Sequence, residues 1–119
     1  MRTYFVALFI AALPLRAMAA PVSPAEAMLH IGAVMTVEGI ASISTPSTGT
    51  VTFVEVGLPG NSATVQGVIY GGDHDKFSDL GSYNGKKVQL TGAVQTFKGA
   101  VRIVLRGPDQ LKLAEQPKP

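Results

Sequence analysis

Three groups of side chains in this 119-residue sequence have the types that chemistry requires. Asp73-His74-Asp75 is the only cluster of metal-ligand types. Three consecutive loop side chains do not converge easily on one ion, and nothing places His30 near His74. The triplet is therefore assigned to a loop or a helix cap, and no metal or other cofactor is expected. Glu38, Arg102 and Arg106 are the types used in cation-assisted phosphodiester cleavage, but no matching motif surrounds them. No serine has nucleophile-elbow spacing, and Gly71-Gly72 leads into acids that oppose a phosphate. With no cysteine, thiol chemistry and cysteine-zinc chemistry are excluded. The third group is Lys86, Lys87, Lys98, Arg102 and Arg106 with Tyr70 and Phe97. Cations along a backbone and aromatic faces for stacking are what a binder of single-stranded nucleic acid presents. This pattern points to binding, not catalysis.

Charge along the chain sharpens that reading. Met1-Arg2, the apolar run Tyr4 to Leu15 and Ala17-Met18-Ala19 have the order of a secretory signal peptide, with cleavage expected after Ala19. The apolar run is too short to span a bilayer and is interrupted by Pro14 and Arg16, so export to a periplasm or the medium is expected, with no stable membrane span after cleavage. Setting Arg2 and Arg16 aside leaves eight basic against eight acidic residues, a net charge of zero. The distribution is uneven. From Pro21 to Asp79 there are six acids and one base, and from Leu80 to Pro119 seven bases and two acids. Any positive face is thus built by the carboxy-terminal half.

The elements that must position these residues follow from periodicity. Ser23-Pro24-Ala25-Glu26 is a capping box opening a short helix to about His30, with Gly32 placed to end it. Val34 to Ser44 alternates as a first strand, Met35, Val37, Ala41 and Ile43 on one face, and Gly39 allows it to bend. Thr45 to Gly49 is a turn, Thr50 to Gly57 a second strand, Leu58 to Ser62 a turn and Ala63 to Tyr70 a third strand. Periodicity leaves the inward face of the second strand open, since Val51, Phe53 and Glu55 oppose Val54 and Val56. Asp73 or Asp75 is expected to cap a helical turn from Lys76 to Leu80, with Phe77 and Leu80 plugging the core. Val88 and Leu90 mark a fourth strand, and Val101, Ile103 and Leu105 a fifth, with Gly99 in the connection. One domain, residues 20–113, then ends in a flexible tail, 114–119, with Leu111 and Leu113 able to lie back on the sheet.

Three strands, a helical link and two strands is the order of an OB fold. From about Ala25 to Leu113 the sequence resembles small exported bacterial OB-fold proteins of the nucleic-acid-binding OB superfamily. His30-Ile31-Gly32, Thr36-Val37-Glu38-Gly39, Phe53, Val68-Ile69, Lys76-Phe77, Gly85-Lys86-Lys87-Val88, Thr91-Gly92 and Lys98-Gly99 carry the resemblance. It implies an all-β, five-stranded OB-fold barrel with a short N-terminal helix and a helical turn between strands three and four. It also implies a ligand face on strands two and three, flanked by the loops Thr45 to Gly49 and Thr96 to Ala100.

The expected function is that of a non-enzymatic, exported OB-fold binding protein for single-stranded DNA or RNA, or another extended polyanion. Its site is expected at Tyr70, Lys86, Lys87, Phe97, Lys98, Arg102 and Arg106; Phe53, Phe77 and Tyr83 are assigned to packing. The sequence also departs from a strong single-strand binder. Tryptophan is absent, strands two and three carry no Lys or Arg, and Glu55 opposes phosphate wherever it faces outward. These departures favour the alternative, a protein-interaction or structural module of the cell envelope.

Overall fold

A computed structural model describes residues 20–45 and 50–114. The expected signal peptide, the greater part of the turn 45–49 and residues 115–119 lie outside the described residues. Ser23 caps α1 (Pro24–Ala27), its hydroxyl accepting from the Glu26 amide at 3.1 Å, as the capping pattern predicts. The strands are β1 (Val34–Ser44), β2 (Thr52–Gly57), β3 (Thr64–Ile69), β4 (Lys87–Ala93), β5 (Gln95–Phe97), β6 (Ala100–Val104) and β7 (Leu111–Leu113). A short helix α2 (Gly71–His74) follows β3, and a 3-10 turn (Leu80–Tyr83) precedes β4.

β1 is the element that the sheet turns on. Its residues Val34 to Ile40 pair antiparallel with β4, and Ile40 to Ser44 pair antiparallel with β2. The change of partner falls beside Gly39. A Cβ there would lie 2.7 Å from both the Gly57 carbonyl oxygen and Val56 Cγ1, so only glycine admits the close approach.

The all-β class is as expected, but the five-stranded barrel is not what forms. The order is β5-β6-β3-β2-β1-β4-β7, a seven-stranded sheet whose hydrogen-bonded ladder does not close. Two local events account for the difference. After the fourth strand the chain is interrupted at Val94, which is fully buried; its amide donates to the Ala33 carbonyl at 2.9 Å and its carbonyl accepts from Gly32 at 2.7 Å. Those bonds leave β4 on β1 and β5 on β6. Leu111 to Leu113 then adds to β4 as β7, and Ala114, which sequence reasoning assigns to the tail, is buried and donates to the Lys87 carbonyl at 2.9 Å.

No ladder joins β4 to β6 among the described residues; the Gln110 side chain bridges them. Its Nε2 donates to the Thr91 carbonyl at 2.9 Å and the Val104 carbonyl at 3.0 Å. Its Oε1 accepts from the Arg106 amide at 2.7 Å and the Gly107 amide at 3.2 Å. One amide side chain therefore occupies four backbone groups.

The core combines Val37 and Ala41 of β1, Val54 and Val56 of β2, Val65 and Ile69 of β3, Val88 and Leu90 of β4, and Val101 and Ile103 of β6. Burying each of the Val, Leu and Ile side chains contributes about 1.5–3 kcal/mol before chain entropy is counted. This packing decides the face that periodicity leaves open. Val54 and Val56 point inward, so Phe53 and Glu55 point outward, and Phe53 is partly exposed instead of packed in the core. Phe77 and Leu80 are buried in the core. The helix that precedes them, however, starts at Gly71, five residues earlier than expected. Neither Asp73 nor Asp75 caps its N-terminus, where Tyr70 stands: the amide of Asp73 donates to the Tyr70 carbonyl at 2.8 Å, and the Asp73 carboxylate pairs with Lys76 at 2.9 Å.

Candidate functional site

Strand register arranges the outer face of the sheet. Successive Cα partners place Ser42, Glu55, Gln66, Arg102 and Gln95 in one row across β1, β2, β3, β6 and β5. A neighbouring row runs Ser44, Phe53, Val68 and Val104. The parallel pairing of β3 with β6 brings the carboxy-terminal cations to the strand that has none of its own.

Arg102 is the centre of this face. Its guanidinium carbon lies 4.5 Å from the centroid of the Phe97 ring. One terminal nitrogen donates to the Tyr70 hydroxyl at 3.5 Å and the other to Gln66 Oε1 at 3.3 Å, both long bonds. Its Nε is buried and has no hydrogen-bond partner. Stacking on a ring face favours a planar cation, by about 0.5–2 kcal/mol according to how far it is desolvated. Tyr70 and Phe97 remain 44% and 50% exposed.

Lys98 joins the same cluster because of the turn it occupies. Phe97 and Ala100 are register partners, so Lys98-Gly99 is a two-residue hairpin loop. Both have positive φ, 51° and 82°, the combination of a type I′ turn. Glycine takes this conformation freely and lysine does not. The turn holds the Lys98 ammonium 5.3 Å from the Phe97 centroid.

Of the residues expected at the site, the structure thus brings together Tyr70, Phe97, Lys98 and Arg102. It does not bring in the other three. Lys87 lies on the β1–β4 surface, 3.5 Å from Glu38 Oε2, where Gln89 Nε2 also donates to Glu38 Oε1 at 2.9 Å. Lys86 is exposed, its amide donating to the Tyr83 carbonyl at 3.0 Å and its carbonyl accepting from Ala41 at 2.9 Å. Arg106 is exposed beyond the end of β6, its amide held by Gln110. Glu55 is exposed on the row, with Thr64 Oγ1 donating to it at 3.5 Å and no cation within ion-pair distance among the described residues.

Gln66 is the site residue that sequence reasoning passes over; Glu55 enters it only as a charge that opposes phosphate. Alternation would have offered Gln66 as outward once Val65 was known to be inward, but the pairing with Arg102 is a long-range event. The side chains of the Asp73-His74-Asp75 triplet point to different partners. His74 Nδ1 is 3.9 Å from Asp75 Oδ1, Asp73 turns to Lys76, and no three His, Cys, Asp or Glu side chains gather around one point among the described residues. An open cleft of about 400 Å³, lined by Thr45, Thr50, Thr52, Gly71, His74 and Asp75, lies off the row. No helix among the described residues is long and apolar enough to cross a membrane.

The sequence matches no protein-family model and no curated protein.

Proposed function

We propose that this chain is an exported, non-enzymatic OB-fold binding module that takes single-stranded nucleic acid across the outer face of β2, β3, β6 and β5. The observation that carries the reading is the cluster of Arg102 over Phe97 beside Tyr70, with Lys98 at its rim. Exposed ring surface next to a stacked guanidinium suits an unpaired base and its phosphate together, because each base stacked on an aromatic is worth about 1–3 kcal/mol. Arg102 and Lys98 neutralise phosphates; Tyr70 and Phe97 stack bases. Lys86, Lys87 and Arg106 are outlying charges in this reading.

The OB-fold assignment draws on topology. β1, β2 and β3 form an antiparallel meander, β3 pairs parallel with β6, and β1 pairs with β4. With β4 and β5 taken as one strand bent at Val94 and the Gln110 bridge as its seam, the element order is that of a five-stranded OB barrel. Export is supported by the signal-like pattern of residues 1–19.

The test is a titration against a labelled single-stranded oligonucleotide, with variants at Arg102 and Phe97. A second reading, a protein-interaction role, is favoured by one observation. Met28, Leu29, Ile31 and Val34 are all substantially exposed within seven residues, Leu29 at 78% and Val34 at 73%. Light scattering of wild type and Leu29→Ser/Val34→Ser decides it: a monomer that binds no envelope component through this face would end that reading.

A further inference from the structure

We infer that Gln66 is the positioning residue of this site: it holds Arg102 with a neutral acceptor and so leaves the guanidinium charge for a ligand phosphate. This deepens, and rests on, the nucleic-acid reading above. Arg102 of β6 has Gln66 of β3 and Gln95 of β5 as its Cα partners on either side. Its Nη2 donates to Gln66 Oε1 at 3.3 Å, its Nη1 donates to the Tyr70 hydroxyl at 3.5 Å, and its guanidinium carbon lies 4.5 Å from the Phe97 centroid. None of these neighbours is a carboxylate. Glu55, the one carboxylate on the row, accepts instead from Thr64 Oγ1, and no ion pair reaches Arg102 among the described residues.

Opposite charges directly across a strand pair stabilise a sheet, and residue 66 is where such a partner for Arg102 would stand. Glutamine stands there instead. A guanidinium is always charged and can only donate, so it orients the Gln66 amide with its carbonyl inward and leaves its own charge uncompensated. Nε is buried, so an anion from outside meets the two terminal nitrogens. Each of these carries two N–H groups. One N–H on each is directed to Gln66 or Tyr70, and the second remains for the ligand. A phosphate oxygen forms a charge-assisted bond there, shorter and roughly twice as strong as a bond between neutral groups. Glutamate has the length of glutamine and would supply the counter-charge from within the protein. Residue 66 thus decides whether the protein or the ligand neutralises Arg102.

The experiment measures binding of a fluorescein-labelled oligothymidylate pentadecamer by anisotropy at four salt concentrations, for wild type, Gln66→Glu, Gln66→Ala and Ser42→Glu. Gln66→Glu weakens binding by about tenfold or more, the scale of one charge-assisted hydrogen bond. Its slope of log K against log salt falls from about −1.4 to about −0.7, one phosphate contact in place of two. Gln66→Ala weakens binding by about two- to tenfold, the loss of one neutral hydrogen bond, and keeps the wild-type slope because Arg102 stays uncompensated. Ser42→Glu adds the same charge at the far end of the row, three strands or roughly 14 Å from Arg102. That exceeds the screening length of about 10 Å at 0.1 M salt, so affinity and slope stay at wild-type values. A wild-type slope in Gln66→Glu, or an equal fall in Ser42→Glu, overturns the inference while leaving the nucleic-acid reading intact. Wild-type affinity in Gln66→Ala does the same, and this variant decides the matter if thermal melting shows Gln66→Glu unfolded. Failure of wild type to bind removes that reading and the inference with it.

Discussion

The guanidinium of Arg102 lies 4.5 Å from the Phe97 ring centroid, and the two residues come from adjacent strands joined by the Lys98-Gly99 turn. The contact fixes a cation and an aromatic surface in one place, at the edge of the row that β3 and β6 complete. The same turn explains how Lys98 reaches the cluster, and it yields the first prediction.

Lys98 adopts φ 51°, a conformation that asparagine tolerates better. Lys98→Asn should therefore raise stability by about 0.5–1 kcal/mol, part of the left-handed penalty borne by an ordinary L-residue. It should also weaken oligonucleotide binding by removing a phosphate contact. Chemical denaturation and anisotropy on the same sample check the two effects, which are expected to have opposite signs.

The cluster contains two cations, Arg102 and Lys98, and this sets the salt dependence. Binding should weaken with a slope of log K against log salt of about −1.4, the product of two phosphate contacts and about 0.7 per contact on a single strand. Engagement of Lys86, Lys87 and Arg106 as well would steepen the slope to about −3.5. Titrations at four salt concentrations separate these values. Lys87→Ala should leave the slope unchanged, because that ammonium is already paired with Glu38.

Gln110 bridges the seam between β4 and β6 through four backbone hydrogen bonds. Gln110→Ala should destabilise the fold by about 2–4 kcal/mol, since each net hydrogen bond contributes about 0.5–1.5 kcal/mol. Gln110→Glu should be at least as damaging: it sets a carboxylate oxygen against the Thr91 and Val104 carbonyls in place of the Nε2 donor. Thermal melts of both variants test the order.

What the sequence made legible was local. β1 is readable from end to end because Met35, Val37, Ala41 and Ile43 alternate and Gly39 marks the bend. β2 was ambiguous because Phe53 competes with Val54 and Val56 for the core, and only packing decides among three apolar side chains. Gly92 signals a bend near Val94, but the short strand β5 that follows is set by hydrogen bonds from Val94 to Gly32 and Ala33, some sixty residues earlier in the chain. The start of α2 was hidden because Gly71-Gly72 reads as a breaker. At the site, Tyr70 and Phe97 emerged by elimination among few aromatics, and Arg102 by strand alternation. Gln66 did not, because its relation to Arg102 exists only through the parallel β3–β6 pairing. Conversely, Lys86, Lys87 and Arg106 were grouped with Arg102 and Lys98 in the sequence, but the structure places them away from the Arg102–Phe97 contact.

The most direct test of the account is an anisotropy titration of a labelled single-stranded pentadecamer at low salt with wild type, Arg102→Ala and Phe97→Ala. Saturable binding by wild type that falls about tenfold or more in each variant, with folding intact by circular dichroism, is the predicted result, since loss of one stacking contact is worth about 1–3 kcal/mol. Affinities equal to wild type in both variants would contradict a site at the Arg102–Phe97 contact. Absence of wild-type binding would contradict the nucleic-acid reading itself.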